Sequence, residues 1–131
     1  MVLEHTSKAF DSDLQELTGL AAEMGGLAER QMVDAVDALI RRDIAQGNAV
    51  VAADAEIDRL QREIEERAVL TIARRQPMAV DLRAIVGAMR LATDLERIGD
   101  LSKNIGKRVA ALDSDFQPMQ LMRGLEHMTD L

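Results

Sequence analysis

The amino-acid sequence predicts an all-α fold, an antiparallel three-helix bundle followed by the start of a fourth helix. Three observations carry that reading. Apolar residues recur at three- and four-residue spacing along three long stretches. Aromatics are only 2% of the 131 residues, with no Trp or Tyr, so strand-forming types are scarce while Leu, Ala, Glu and Arg abound. The breaks between the stretches are short, which makes sequential helices antiparallel neighbours. With 47% hydrophobic and 30% charged residues the chain is too apolar to stay disordered, and its length suits one domain.

A patternless, flexible segment is expected at residues 1–9. The first helix is expected over about 10–45, on the stripe Phe10, Leu14, Leu17, Ala21, Met24, Ala28, Met32, Ala35, Val36, Leu39. Asp11, Ser12 and Asp13 supply capping and first-turn acids. Gln46-Gly47-Asn48 reads as its C-cap and turn. Gly25-Gly26, at about 1 kcal/mol each against helix formation, calls for tight packing or a slight kink there. The second helix is expected over 49–75, on Val50, Ala53, Ile57, Leu60, Ile64, Ala68 and Ile72, and Pro77 stops it. The third spans about 78–112, with Leu82, Ile85, Met89 and Ala92 on one stripe and Leu95, Ile98 and Ile105 widening it. Asp113-Ser114-Asp115 closes a three-helix unit at 10–115. Beyond it, Pro118, Leu121, Leu125 and Met128 open a fourth stripe within 116–131. The stripe breaks off at Leu131, so the chain is expected to be part of something longer.

Composition excludes several chemistries. No cysteine is present, which removes disulfides, thiolate metal sites and cysteine nucleophiles together. A net charge of −7 argues against nucleic acid as a partner, because phosphate binding needs a basic face. No apolar run approaches the ~20 residues of a membrane span and no signal-peptide pattern opens the chain. A cytoplasmic protein without direct membrane insertion is the expectation.

One constellation stands out against this background. On the third helix the stripe that carries Ile85, Met89 and Ala92 continues with Glu96, Asp100 and Lys103. Glu96 and Asp100 are four apart, so both carboxylates leave one face and repel each other. Asp54 and Asp58 repeat the device at the edge of the second stripe, with Gln61 and Glu65 continuing that edge. In a hairpin about Pro77, Asp58 lies as far before the turn as Glu96 lies after it, and Asp54 mirrors Asp100 in the same way. Four carboxylates are therefore expected at one height. Arg97 falls off that face, leaving Lys103 as the one well-placed cation. The bland alternative is a set of solvated surface charges. The functional reading is a metal site: an all-oxygen donor set suits iron, manganese, magnesium or calcium rather than zinc or copper. His5 and His127 lie in the start and the tail, away from these acids, and no Glu is followed three residues on by His, which makes a ferritin-like di-iron oxidase improbable.

These residues also support a resemblance. The run Arg75-Gln76-Pro77-Met78-Ala79-Val80-Asp81-Leu82-Arg83, then Asp94-Leu95-Glu96-Arg97-Ile98-Gly99-Asp100 and Asn104-Ile105, resembles the PhoU family of bacterial phosphate-uptake regulators. Asp54-Ala55-Glu56-Ile57-Asp58 fits that family's earlier acidic motif, and the likeness covers about residues 10–112. The resemblance implies two tandem three-helix repeats, of which this chain holds the first, with Glu/Asp-x-x-x-Asp motifs holding a multinuclear metal cluster, iron being the metal commonly assigned. It places the ligands at Asp54, Asp58, Glu96 and Asp100, and a supporting role at Asn104. Glu65 is expected to play a similar supporting part.

The resemblance further implies a regulator rather than an enzyme: an adaptor between a phosphate ABC transporter and a sensor histidine kinase that represses the phosphate-starvation response. A bundle lacking its partner repeat should expose an apolar face, and a homodimer is the expected way to cover it. Arg74, Arg75 and Arg83 around Pro77 offer a docking patch or, equally, a helix-dipole complement. Two other classes compete. A metal-dependent hydrolase would need a general base and phosphate-clamping groups, and neither a Gly-rich loop nor a histidine lies near the acids. A plain helical scaffold would bind no metal at all.

Overall fold

The computed structural model describes residues 2–112, with side chains described from residue 8 onward. Three helices follow one another: α1 (Val2–Arg41), α2 (Ile44–Arg75) and α3 (Ala79–Ala111). Each packs against both of the others in an all-α, up-down-up bundle without a strand among the described residues. The expected fourth stripe, Asp113-Ser114-Asp115 and His127 lie outside the described residues.

α1 starts at Val2, well ahead of the expected start near Phe10. Periodicity registers burial rather than helicity, and Phe10 is the first buried residue among the described side chains. The α1–α2 turn also falls earlier than expected. Arg42 adopts the left-handed conformation (φ 56°), and Asp43 caps α2 by accepting a hydrogen bond from the Gln46 N–H at 3.0 Å. Gln46-Gly47-Asn48 thus belongs to the first turn of α2 rather than to the end of α1. At the other end Gln76 takes the left-handed conformation (φ 45°, ψ 59°) and donates its N–H to the Ile72 carbonyl. Pro77 then forbids further helix, and Met78 opens α3 without a side-chain cap.

The α1 core stripe is Leu17, Ala21, Met24, Ala28, Gln31, Ala35, Ala38, an alternation of four and three residues with a buried glutamine inside it. Met32 is half-buried and Val36 exposed, so the expected stripe was tilted toward one side of the true one. On α2 the core positions are Val50, Asp54, Ile57, Leu60, Ile64 and Ala68; Asp54 is only 2% exposed, whereas Ala53 is exposed. On α3 the buried set after Ile85 and Ala92 is Gly99, Ser102, Gly106 and Val109, while Leu82 and Ile98 face outward.

Small residues on α3 bring it close to α2. A Cβ on Gly106 would stand 2.7 Å from the Gly47 carbonyl oxygen, and one on Gly47 would meet Val109 at 2.9 Å. Gly47 is therefore a helix-contact glycine, which explains why a turn reading failed there. The Gly25-Gly26 pair is not tightly packed: a Cβ at Gly26 meets nothing within 4 Å, and one at Gly25 makes only ordinary contact with Leu95.

Candidate functional site

The closest feature of the α2–α3 seam sets the site. Gly47 opposes Gly106, and seven residues further along each helix Asp54 opposes Gly99. The hairpin register is one residue away from the expected one, which had Asp54 level with Asp100. The shift follows from the turn, where Gln76 and Pro77 share the reversal instead of Pro77 alone standing at its centre.

Asp54 is held from three sides. A Cβ on Gly99 would stand 3.0 Å from Asp54 Oδ1, tighter than ordinary contact, so glycine lets the buried carboxylate lie close against α3. Gln31 of α1 donates through Nε2 to the Val50 carbonyl at 3.1 Å and to Asp54 Oδ1 at 3.5 Å. Lys103 of α3 places Nζ 3.6 Å from Asp54 Oδ2. The Gln31 Oε1 atom, buried beside the same Gly99, has no hydrogen-bond partner. An orphaned acceptor of this kind costs free energy unless something donates or coordinates to it.

The other three acids surround this pair. Asp58 and Glu96 are half-buried and Asp100 is exposed. Burial pushes the Asp58 carboxyl up from its ordinary value, and the charges of Asp54 and Asp100 push it further, against the opposing pull of Lys103 and Arg62. Glu96 is likewise held up, first by burial, then by a hydrogen bond to Asp100 and by the charges of Asp100, Asp58 and Asp54. All four acids therefore sit within electrostatic reach of one another. They do not converge on a point: among the described residues no three such side chains are close enough to close around a single ion. The donor set is hard oxygen and short of positive charge, and the orphaned Gln31 oxygen lies beside it, so its chemistry fits a hard cation.

The remaining expected members stand further out. Asn104 is exposed, one turn beyond Asp100. Glu65 is exposed and lines an open hollow with Val86, Met89, Arg90, Thr93, Asp94 and Arg97, about 10 Å along α2 from Asp58 by helical rise. Arg97 lies off the seam, exposed and nearest to Asp94 at 3.9 Å. Arg75 is tied to Asp13 of α1 at 3.1 Å, which leaves Arg74 and Arg83 exposed at the Pro77 turn. Gln31 and Gly99 were not singled out from the sequence. A glutamine at a strict core position of α1, and a glycine between Glu96 and Asp100, are the signals that mark them.

Another hollow, about 630 Å³, lies between α1 and α2. Its acids Asp13, Glu16, Glu63 and Glu66 are matched by Arg59, Arg62, Arg67 and Arg74, with Arg59 paired to Glu63 along α2 and Arg67 paired to Glu16 across to α1. That groove neutralises itself. The α2–α3 seam does not.

Fold and seam together define a three-helix bundle whose second and third helices present an under-compensated acidic face. Residues 21–109 match the PhoU domain family. The chain is 50% identical over 127 residues to the phosphate-specific transport system accessory protein PhoU homolog of Rhizobium meliloti, covering 97% of this chain and 54% of that protein. Against the homolog of the same name from Caulobacter vibrioides it is 48% identical over 129 residues, covering 98% of this chain and 56% of that one. The match to the corresponding protein of Zymomonas mobilis is 44% over 110 residues, 84% of this chain and 46% of the relative. The chain belongs to the PhoU family, and it spans about half the length of the relatives it matches.

Proposed function

We propose that this chain is an accessory, regulatory component of phosphate transport, acting through protein contacts and carrying a carboxylate-built metal site on its α2–α3 seam. Family membership supports the transport role, since the matched relatives bear the name of accessory proteins of the phosphate-specific transport system. The partners the role implies are a phosphate ABC transporter and a sensor histidine kinase, with repression of the phosphate-starvation response as the output. A cytoplasmic location goes with that role; no helix among the described residues is long and apolar enough to cross a membrane.

A single observation supports the metal site: Asp54, Asp58, Glu96 and Asp100 share one seam with Lys103 as the cation nearest the buried Asp54, beside an orphaned buried oxygen of Gln31. These four acids are the residues that would hold a cation, iron in our reading, and a bound cation would offset the negative charge that they concentrate on one stretch of the seam. The regulatory role is supported by the matched relatives, which are named as accessory proteins of the transport system. Elemental analysis of protein purified without chelator tests the metal site. Bound iron or manganese is expected, reduced by at least half in an Asp100→Asn and Glu96→Gln double variant that keeps wild-type helicity. Metal-free wild-type protein, or unchanged occupancy in the double variant, overturns the site.

The apolar outer face of α1 and α3 supports self-association. Val33, Val36 and Ile40 line an open hollow with Met32 and Asp37, and Leu91, Ile98 and Leu101 are exposed on α3. A homodimer is expected by light scattering at high micromolar concentration, and a monomeric mass there refutes it.

A further inference from the structure

We infer that Lys103 is a resident counter-ion that competes with metal for Asp54, so that the lysine sets how tightly the seam binds a cation. The inference rests on the metal reading above and goes beyond it. Asp54 is the one fully buried acid of the four, and a buried carboxylate must be paired. Its two oxygens are already engaged in different ways. Oδ1 lies against Gly99 and receives Gln31 Nε2 at 3.5 Å, whereas Oδ2 faces Lys103 Nζ at 3.6 Å. Gln31 is itself buried and tied to the Val50 carbonyl at 3.1 Å, so its side of Asp54 is fixed by the core. Lys103 differs in kind. Its side chain is 34% exposed and reaches in from the rim of the seam on a flexible four-carbon stem. It is also the group that eases the charge of Asp58 across the same seam.

A cation approaching Asp54 from the open side therefore meets an ammonium first. An ammonium and a metal cation at the same buried carboxylate oxygen repel each other strongly. Metal capture must push the Lys103 head outward to solvent, and metal loss lets it return, so Asp54 is never left buried and bare. The lysine lowers metal affinity and in exchange keeps the seam folded when metal is scarce.

The experiment compares wild type, Lys103→Met and Lys103→Arg by titrating Fe²⁺ anaerobically in a calorimeter. In parallel, the rate of reductive methylation at Lys103 in the wild-type protein is followed by peptide mass spectrometry, with and without Fe²⁺. The expected result is binding about tenfold tighter in Lys103→Met, the scale on which neighbours tune a metal ligand. Lys103→Arg should return to the wild-type range, and Lys103 labelling should speed up severalfold when Fe²⁺ is added. Equal affinity in wild type and Lys103→Met, or labelling that Fe²⁺ leaves unchanged, overturns the counter-ion role while leaving the metal site standing. Absence of Fe²⁺ binding in every variant overturns both. The labelling arm uses wild-type protein, so it decides the matter even if Lys103→Met fails to fold.

Discussion

At the scale of single residues, the glycines divide by what surrounds them. Gly99 and Gly106 are places where the α2 backbone or an Asp54 oxygen occupies the space a side chain would need. Gly19 and Gly26 face nothing within 4 Å. Alanine at Gly26 should stabilise the protein by roughly 0.5–1 kcal/mol, through helix propensity and a less flexible unfolded chain. Alanine at Gly106 should cost about 1–3 kcal/mol by prising α2 from α3. Gly99→Ala should also destabilise, and in addition should lower metal content, because its Cβ displaces Asp54. Chemical denaturation of the three variants checks the signs, and a neutral Gly106→Ala would mean the seam is looser than its geometry.

At the scale of elements, the two connections are short and both contain a non-glycine residue in the left-handed region, Arg42 and Gln76. That conformation costs an L-residue about 1–2 kcal/mol, and glycine is the usual residue where a helix ends this way. Gln76 has a further handicap, since the residue before proline is already restricted. Gln76→Gly should therefore raise stability by about 1 kcal/mol at most, offset in part by the added freedom of the unfolded chain. The α2 cap makes the opposite case. Asp43→Ala removes the bond to the Gln46 N–H and should cost about 1 kcal/mol. Thermal melts of the two variants should move in opposite directions.

At the scale of the whole molecule, the acid seam links stability to pH and to metal. Asp58 and Glu96 hold their protons more readily in the folded chain than in the unfolded one. Their unfavourable contribution is therefore present at neutral pH and fades as pH falls through their raised folded values toward the ordinary carboxylate range. In chelator, Glu96→Gln should stabilise the protein at pH 7 by a few tenths of a kcal/mol, and the gap from wild type should close by about pH 4. With Fe²⁺ present the sign should reverse at pH 7, since the wild type then gains stability from binding. Melting curves at two pH values, with and without metal, read both effects; a gap that widens on acidification would contradict the linkage.

How much of this was legible in the sequence differs from residue to residue. The helices, the turn at Pro77 and the pairing of acids across α2 and α3 follow from spacing, because apolar period and proline act locally. Gly47 misled because a glycine after a long helix looks the same whether it ends the helix or admits a neighbour. Asp54 read as an edge acid because its burial depends on Gly99, a residue 45 positions away on another helix. Gln31 carried no chemistry of its own until α1 was set against α2.

Composition and periodicity alone determined an all-helical bundle with two acid doublets able to meet, since those depend on how residues i, i+3 and i+4 sit on one helix. Only the tertiary structure decided which acid is buried, that Gln31 and Lys103 flank it, and that the hairpin register runs through Gly47–Gly106 and Asp54–Gly99. Those are contacts between helices, fixed by where backbones can approach, and no local pattern encodes that distance.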